Sequence, residues 1–86
     1  MKTVKIFISE SCPRFPRAKE LGARLKRKGV DVYSYDVGTA DGLAEAALNR
    51  VFATPSILIV DAETETVIQD WRGVAPAEGE VLHALR

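Results

Sequence analysis

Apolar and polar positions alternate from the start of the chain. Val4, Ile6 and Ile8 fall on one side and Lys5 and Phe7 on the other, and the β-branched content predicts a strand over Thr3 to Ser9. Ser11-Cys12-Pro13 breaks that pattern. From Phe15 the period lengthens: Phe15, Ala18, Leu21, Gly22 and Leu25 recur at helical spacing, with Arg and Lys on the opposite face. Gly29 is suited to end this helix, and Lys26, Arg27 and Lys28 fill its last turn, where cations meet the negative end of the dipole. Val30 to Val37 reads as a second strand. Thr39 or Asp41 can N-cap a helix carrying Leu43, Ala46, Ala47, Leu48 and Val51. Ser56 to Val60 reads as a short buried strand, residues 61–65 as a polar turn and Thr66 to Trp71 as a further strand. Strands joined this closely must run antiparallel, because a parallel return needs a long crossover. Gly73 ends that strand, and Pro76 is expected to start a last helix with Val81, Leu82 and Leu85 inward.

The order βαβαββα implies an α/β fold whose first half is a right-handed parallel crossover. Eighty-six residues suffice for one domain, residues 1–86, and not two. The longest apolar run, Ile57-Leu58-Ile59-Val60, is far short of the roughly 20 residues a bilayer requires, so no membrane association is expected. The strand pattern begins at once, without the charged and apolar regions of a secretion signal, and one cysteine cannot form an internal disulfide. A cytoplasmic location and a monomer are the expectations.

Charge changes the picture more than composition does. The formal net charge is zero, yet residues 1–30 carry nine Lys and Arg against two Glu, and residues 31–86 carry three Arg against ten acids. A nucleic-acid binder shows a basic excess over the whole domain. Here the positive charge is confined to one segment, which suggests a local anion-attracting face or a solvated helix face and no nucleic-acid partner. One Cys and one His cannot fill a zinc site without carboxylates, so no metal is expected.

The candidate chemistry lies at two junctions. Ser11-Cys12-Pro13-Arg14-Phe15 stands between the first strand and first helix, and Ala53-Thr54-Pro55-Ser56-Ile57 between the second helix and third strand. A cysteine at a helix N-terminus meets free N–H groups and the positive dipole end, which favour the nucleophilic thiolate, and Arg14 and Arg17 add to that. Alternatively, Pro16 is itself the first helical residue, and Cys12 then lies in a loop with part of that effect lost.

Together with the element order, these motifs resemble the thioredoxin/glutaredoxin superfamily. The first is similar to the glutaredoxin active site Cys-Pro-Tyr-Cys, and the second to the segment holding the family's cis-proline. Trp71-Arg72-Gly73-Val74-Ala75-Pro76 resembles the end of the last strand in thioredoxins. The resemblance implies a four-stranded mixed sheet in the order β2-β1-β3-β4, with Pro55 cis and adjacent to Cys12. It implies Cys12 as the nucleophile, and Pro13, Arg14, Thr54, Pro55, Arg72 and Gly73 as substrate-binding residues. Thr54 would offer its backbone to an extended substrate as an added strand does. The sequence departs from the family where Phe15 replaces the second cysteine, where Ser9 replaces a glutaredoxin lysine, and where residues 73–76 lack an acidic glutathione-holding turn. The expected activity is a monothiol thiol–disulfide oxidoreductase using an external thiol. Its partners would be a thiol- or disulfide-containing protein or a small thiol, with no resident cofactor and weak use of glutathione. The alternative is a non-catalytic thioredoxin-fold module that binds proteins or peptides. Phe15 is expected in the core of the first helix, Trp71 in strand packing and His83 at the surface.

Overall fold

The computed structural model describes all 86 residues. Its sheet is built on β1 (Lys2–Ile8), which lies between two partners. β2 (Val32–Asp36) pairs with it in parallel, Val4 opposite Val32, through the crossover helix α1 (Phe15–Arg27). β3 (Ser56–Asp61) pairs on its other side antiparallel, Ile6 opposite Ile57, and β4 (Val67–Arg72) pairs antiparallel with β3, Ile57 opposite Trp71. The sheet order is β2-β1-β3-β4, with a bulge between Ile59 and Val60. The remaining helices are α2 (Ala40–Leu48) and α3 (Glu78–Ala84). No helix is long and apolar enough to cross a membrane.

Both faces of the sheet are covered, and alternation along β1 sorts its residues between two cores. Val4 and Ile6 join Ile57 and Ile59 under α1 and α3, where Ala18, Leu21, Leu25 and Val81 close the layer. Phe7 joins Leu58, Val60, Ala46 and Val51 under α2. The Phe7 ring stacks on Tyr35 at 5.2 Å between centroids. Lys5 shares the α2 face with Phe7. It is therefore buried too, and its Nζ donates to Glu45 of α2 at 2.9 Å and to Glu65 of the β3–β4 turn at 3.1 Å.

The helix ends follow local chemistry. α1 stops in a Schellman motif: Gly29, at φ +83°, donates its N–H to Lys26 O, and Val30 N–H donates to Leu25 O. Thr39 caps α2, its Oγ1 accepting from Gly42 N–H at 3.0 Å. Two expectations about helices need correction. α2 is only nine residues long and turns Gly42 and Ala46 to the sheet. Leu43 and Leu48 therefore face outward, 60% and 80% exposed, and Val51 packs from the segment after the helix. Small residues at i and i+4 let this helix lie close to the sheet, where a leucine would hold it off. Pro76 is buried but precedes α3, because the chain is still extended at the N-cap Ala77 (ψ 150°) and becomes helical at Glu78.

Candidate functional site

Where β1 runs out, the chain turns tightly before α1. Cys12 N–H donates to Ser9 O at 2.9 Å, and Phe15 N–H donates to Cys12 O at 3.0 Å. The Ser9 and Ser11 hydroxyls pair at 2.8 Å. The N-cap of α1 is Arg14, and Ala18 N–H donates to Arg14 O at 3.2 Å. Pro16 thus occupies the first helical turn, where its missing N–H costs nothing, and Cys12 lies in the turn two residues ahead of the cap. Of the two placements open to this cysteine, the structure has the loop.

Cys12 is a free, half-buried cysteine. Its Sγ donates to Thr54 O at 3.3 Å, across 42 positions of sequence. The Thr54–Pro55 peptide is cis, and Pro55 is fully buried at the start of β3. Two further contacts brace this loop. The hydroxyl of buried Ser56 donates to Ala53 O at 2.6 Å and accepts from Gly73 N–H at 3.3 Å. Arg14 Nη1 reaches over the site to Gly73 O at 2.9 Å, tying the start of α1 to the end of β4. Cys12, Arg14, Thr54, Pro55 and Gly73 are therefore gathered at one end of the sheet.

Two residues of the expected set stand differently. Pro13 is exposed in the turn and makes no polar contact with the others. Arg72 is committed elsewhere: its Nε donates to Asp70 Oδ2 at 2.9 Å, and its Nη1 donates to Arg50 O at 2.8 Å, which fastens β4 to the segment after α2. Phe15 also corrects its expectation. It is half-buried outside both cores, with Lys19 Nζ 5.7 Å from its ring centroid. Trp71 packs against the α1-side core and His83 is exposed.

The sequence reading missed Ser56, whose only signal was a small polar residue directly after Thr-Pro. It also missed an apolar depression of ≈ 320 Å³ next to Thr54, bordered also by Ser9, Val37, Leu43, Val51 and Phe52. Phe52 is 89% exposed at its rim. Nothing in the local pattern separates such a phenylalanine from one folded inward.

The turn geometry carries a test of the site's lineage. Residues joined by an i to i+3 turn bond have Cα atoms within about 7 Å, inside the span a disulfide bridges. Phe15→Cys is therefore expected to pair with Cys12 under mild oxidation, read as loss of two thiols without a change in oligomer size. Because Phe15 lies outside the cores, the cost in stability should stay below about 2 kcal/mol.

No family model matches the chain, and no curated protein matches it in sequence. Solved structures do. Thioredoxin 1 from Thermosipho africanus superposes with a TM-score of 0.67 at 20% identity, covering 96% of this chain and 89% of that one. Thioredoxin O2 from Arabidopsis thaliana gives 0.76 at 14% identity, with 99% and 72% covered. Thioredoxin f2, in its complex with ferredoxin:thioredoxin reductase, gives 0.67 at 14% identity, with 98% and 74% covered. At these identities the likeness is one of architecture, and it agrees with the sheet order and the three helices: the chain has the thioredoxin fold.

Proposed function

We propose that the protein is a monothiol thiol–disulfide oxidoreductase with Cys12 as its nucleophile. The observation that carries this reading is the approach of Cys12 Sγ to the Thr54 carbonyl beside Pro55. The sulfur is held at the edge of a backbone segment able to align a second chain. No hydrogen bond within the chain uses the Thr54 N–H, which leaves it for a backbone carbonyl of an extended substrate. In the first step the thiolate of Cys12 attacks one sulfur of a disulfide. A new Sγ–S bond forms, the old S–S bond breaks, and the second sulfur leaves as a thiolate that takes up a proton. With no second cysteine in the chain, an external thiolate must attack the adduct, regenerating Cys12 and leaving as the other half of a new disulfide. The protein ends unchanged and the external thiol is oxidised. A reductase partner is named for the related thioredoxin f2 structure, and a thiol protein of that kind is the partner we assign here, with a cytoplasmic home for the reaction.

Glutathione is expected to serve poorly as that thiol, because Ser9 supplies no cation and residues 73–76 supply no carboxylate to hold it. The test is mass spectrometry of the protein after exposure to a peptide disulfide. One covalent peptide on Cys12, absent from Cys12→Ser and released by dithiothreitol, is expected. Glutathione disulfide should give the adduct at least about tenfold more slowly, because its binding groups are missing. A peptide that binds without any adduct would instead support the second reading, a peptide-binding module. That reading is favoured by the apolar depression next to Thr54.

A further inference from the structure

The helix that follows Cys12 is strongly basic, and most of its charge is unspent. From residue 14 to 28 it carries Arg14, Arg17, Lys19, Arg24, Lys26, Arg27 and Lys28 against Glu20 alone. Glu20 and Glu78 pair with Arg24, and Glu78 pairs with Lys28 at 2.6 Å. Arg17, Lys19, Lys26 and Arg27 are exposed with no carboxylate within salt-bridge distance, and Arg14 spends one N–H on a neutral carbonyl and keeps its charge. Glu78 and Glu80 of α3 offset part of this charge on the same side of the sheet, while Asp41 and Glu45 in α2, and Glu65 where it meets Lys5, lie across it. The molecule is polarised through its thickness, positive on the α1 side, and that positive strip begins at the reactive turn.

We propose that this α1 face is the docking surface for an acidic protein segment that carries the disulfide or thiol exchanged at Cys12. The proposal rests on the oxidoreductase reading for its chemistry but not for its binding. A partner laid along the helix would bring its own sulfur to the turn at residue 12, and the field across the sheet would orient it on approach. A bilayer is the weaker occupant. The apolar face of α1 is buried in the core, and charge without an inserted apolar face holds a membrane feebly. Nucleic acid is weaker still, because the net charge of zero and the acids of the opposite face oppose a wrapped polyanion.

The experiment uses three peptides of one length, each with a single cysteine blocked as a mixed disulfide with thionitrobenzoate and flanked by Glu, by Ser or by Lys. Attack by Cys12 releases the coloured thiolate. At about 20 mM ionic strength the Glu peptide should react at least ~10-fold faster than the Lys peptide, and the gap should close at about 0.5 M salt. The triple variant Lys19→Glu/Lys26→Glu/Arg27→Glu should reverse the order while leaving the rate with uncharged dipyridyl disulfide unchanged. Equal rates for the three peptides would overturn the proposal. If no peptide reacts, the oxidoreductase reading fails, and fluorescence anisotropy with cysteine-free Glu and Lys peptides decides the surface by itself. Preference for the Glu peptide there sustains it and no preference overturns it. Tighter binding to phosphatidylserine-containing vesicles or to a short RNA overturns it in favour of those ligands. Salt-sensitive self-association in sedimentation overturns it in favour of a second copy.

Discussion

Gly42→Ala is expected to destabilise the protein by about 3 kcal/mol, the upper part of the range for forcing an atom into packed structure. On an exposed helix the same change is favourable by about 1 kcal/mol. The sign reverses because a Cβ at residue 42 would run into the backbone carbonyl of Asp36. That carbonyl cannot move away cheaply: it already accepts Thr39 N–H at 3.0 Å and the Thr39 hydroxyl at 2.8 Å, and it ends the edge strand β2. The new methyl must push α2 off the sheet or break its cap. Gly79, in α3, is the control, since a Cβ there meets nothing within 4 Å. Gly79→Ala should leave stability unchanged or raise it by up to about 1 kcal/mol. Urea denaturation of both variants reads the contrast, and a Gly42→Ala protein as stable as the parent would show that α2 is not seated as described.

The second large effect lies at Lys5. Its side chain is 6% exposed, and both its ion-pair partners arrive from other elements. Lys5→Met should cost about 2–3 kcal/mol, below the full range for breaking a buried pair because Glu45 and Glu65 keep contact with water. The pH profile identifies the cause. Hydrogen bonding to Lys5 holds the Glu45 carboxyl below its ordinary 4.5, against the opposing pull of burial. A depressed carboxylate contributes stability that is present above 4.5 and lost as pH falls through the folded value. Burial alone would lower Lys5, but its hydrogen bonds and attraction to Glu45 and Glu65 outweigh that and raise it above 10.5. That contribution is complete below 10.5 and lost as pH rises through the raised value. The parent should therefore hold a plateau between these limits, and Lys5→Met should lose the Glu45 share of the acid-side fall. Lys5→Met/Glu45→Gln should recover part of the loss, because it removes the orphaned charge. An identical acid limb in parent and Lys5→Met would show that the pair carries no folding energy.

The two clearest signals in the sequence were the period changes and the punctuation. The switch from alternation in β1 to helical spacing after Phe15, the stop at Gly29 and the short polar turn at residues 61–65 are local, and the structure has all three. The pairing of the Cys12 and Thr54 segments was legible only through resemblance, since 42 positions separate them and no local rule joins them. What stayed hidden depended on which surface a residue meets. Lys5 and Phe7 alternate as a solvent-facing side would, but α2 covers that side. Leu43 and Leu48 look inward by composition, yet Gly42 and Ala46 take the sheet because they are small enough to approach it. Arg72 stood beside Gly73 in sequence, while its guanidinium is spent on the carbonyl of Arg50.

The position of β1 in the sheet bears on how the molecule is made. As the chain leaves the ribosome, β1 emerges well before its antiparallel neighbour, which follows some fifty positions later, with Ile6 waiting for Ile57. Until then the strand has only β2 and α1 to pair with, and Phe7 has neither Leu58 nor Val51 above it. The nascent half-chain therefore carries a raw apolar edge that closes only when β3 arrives, an order of events that invites chaperone contact during synthesis. A stalled chain ending before β3 should be captured by a holdase chaperone, and one extended past β4 should escape it.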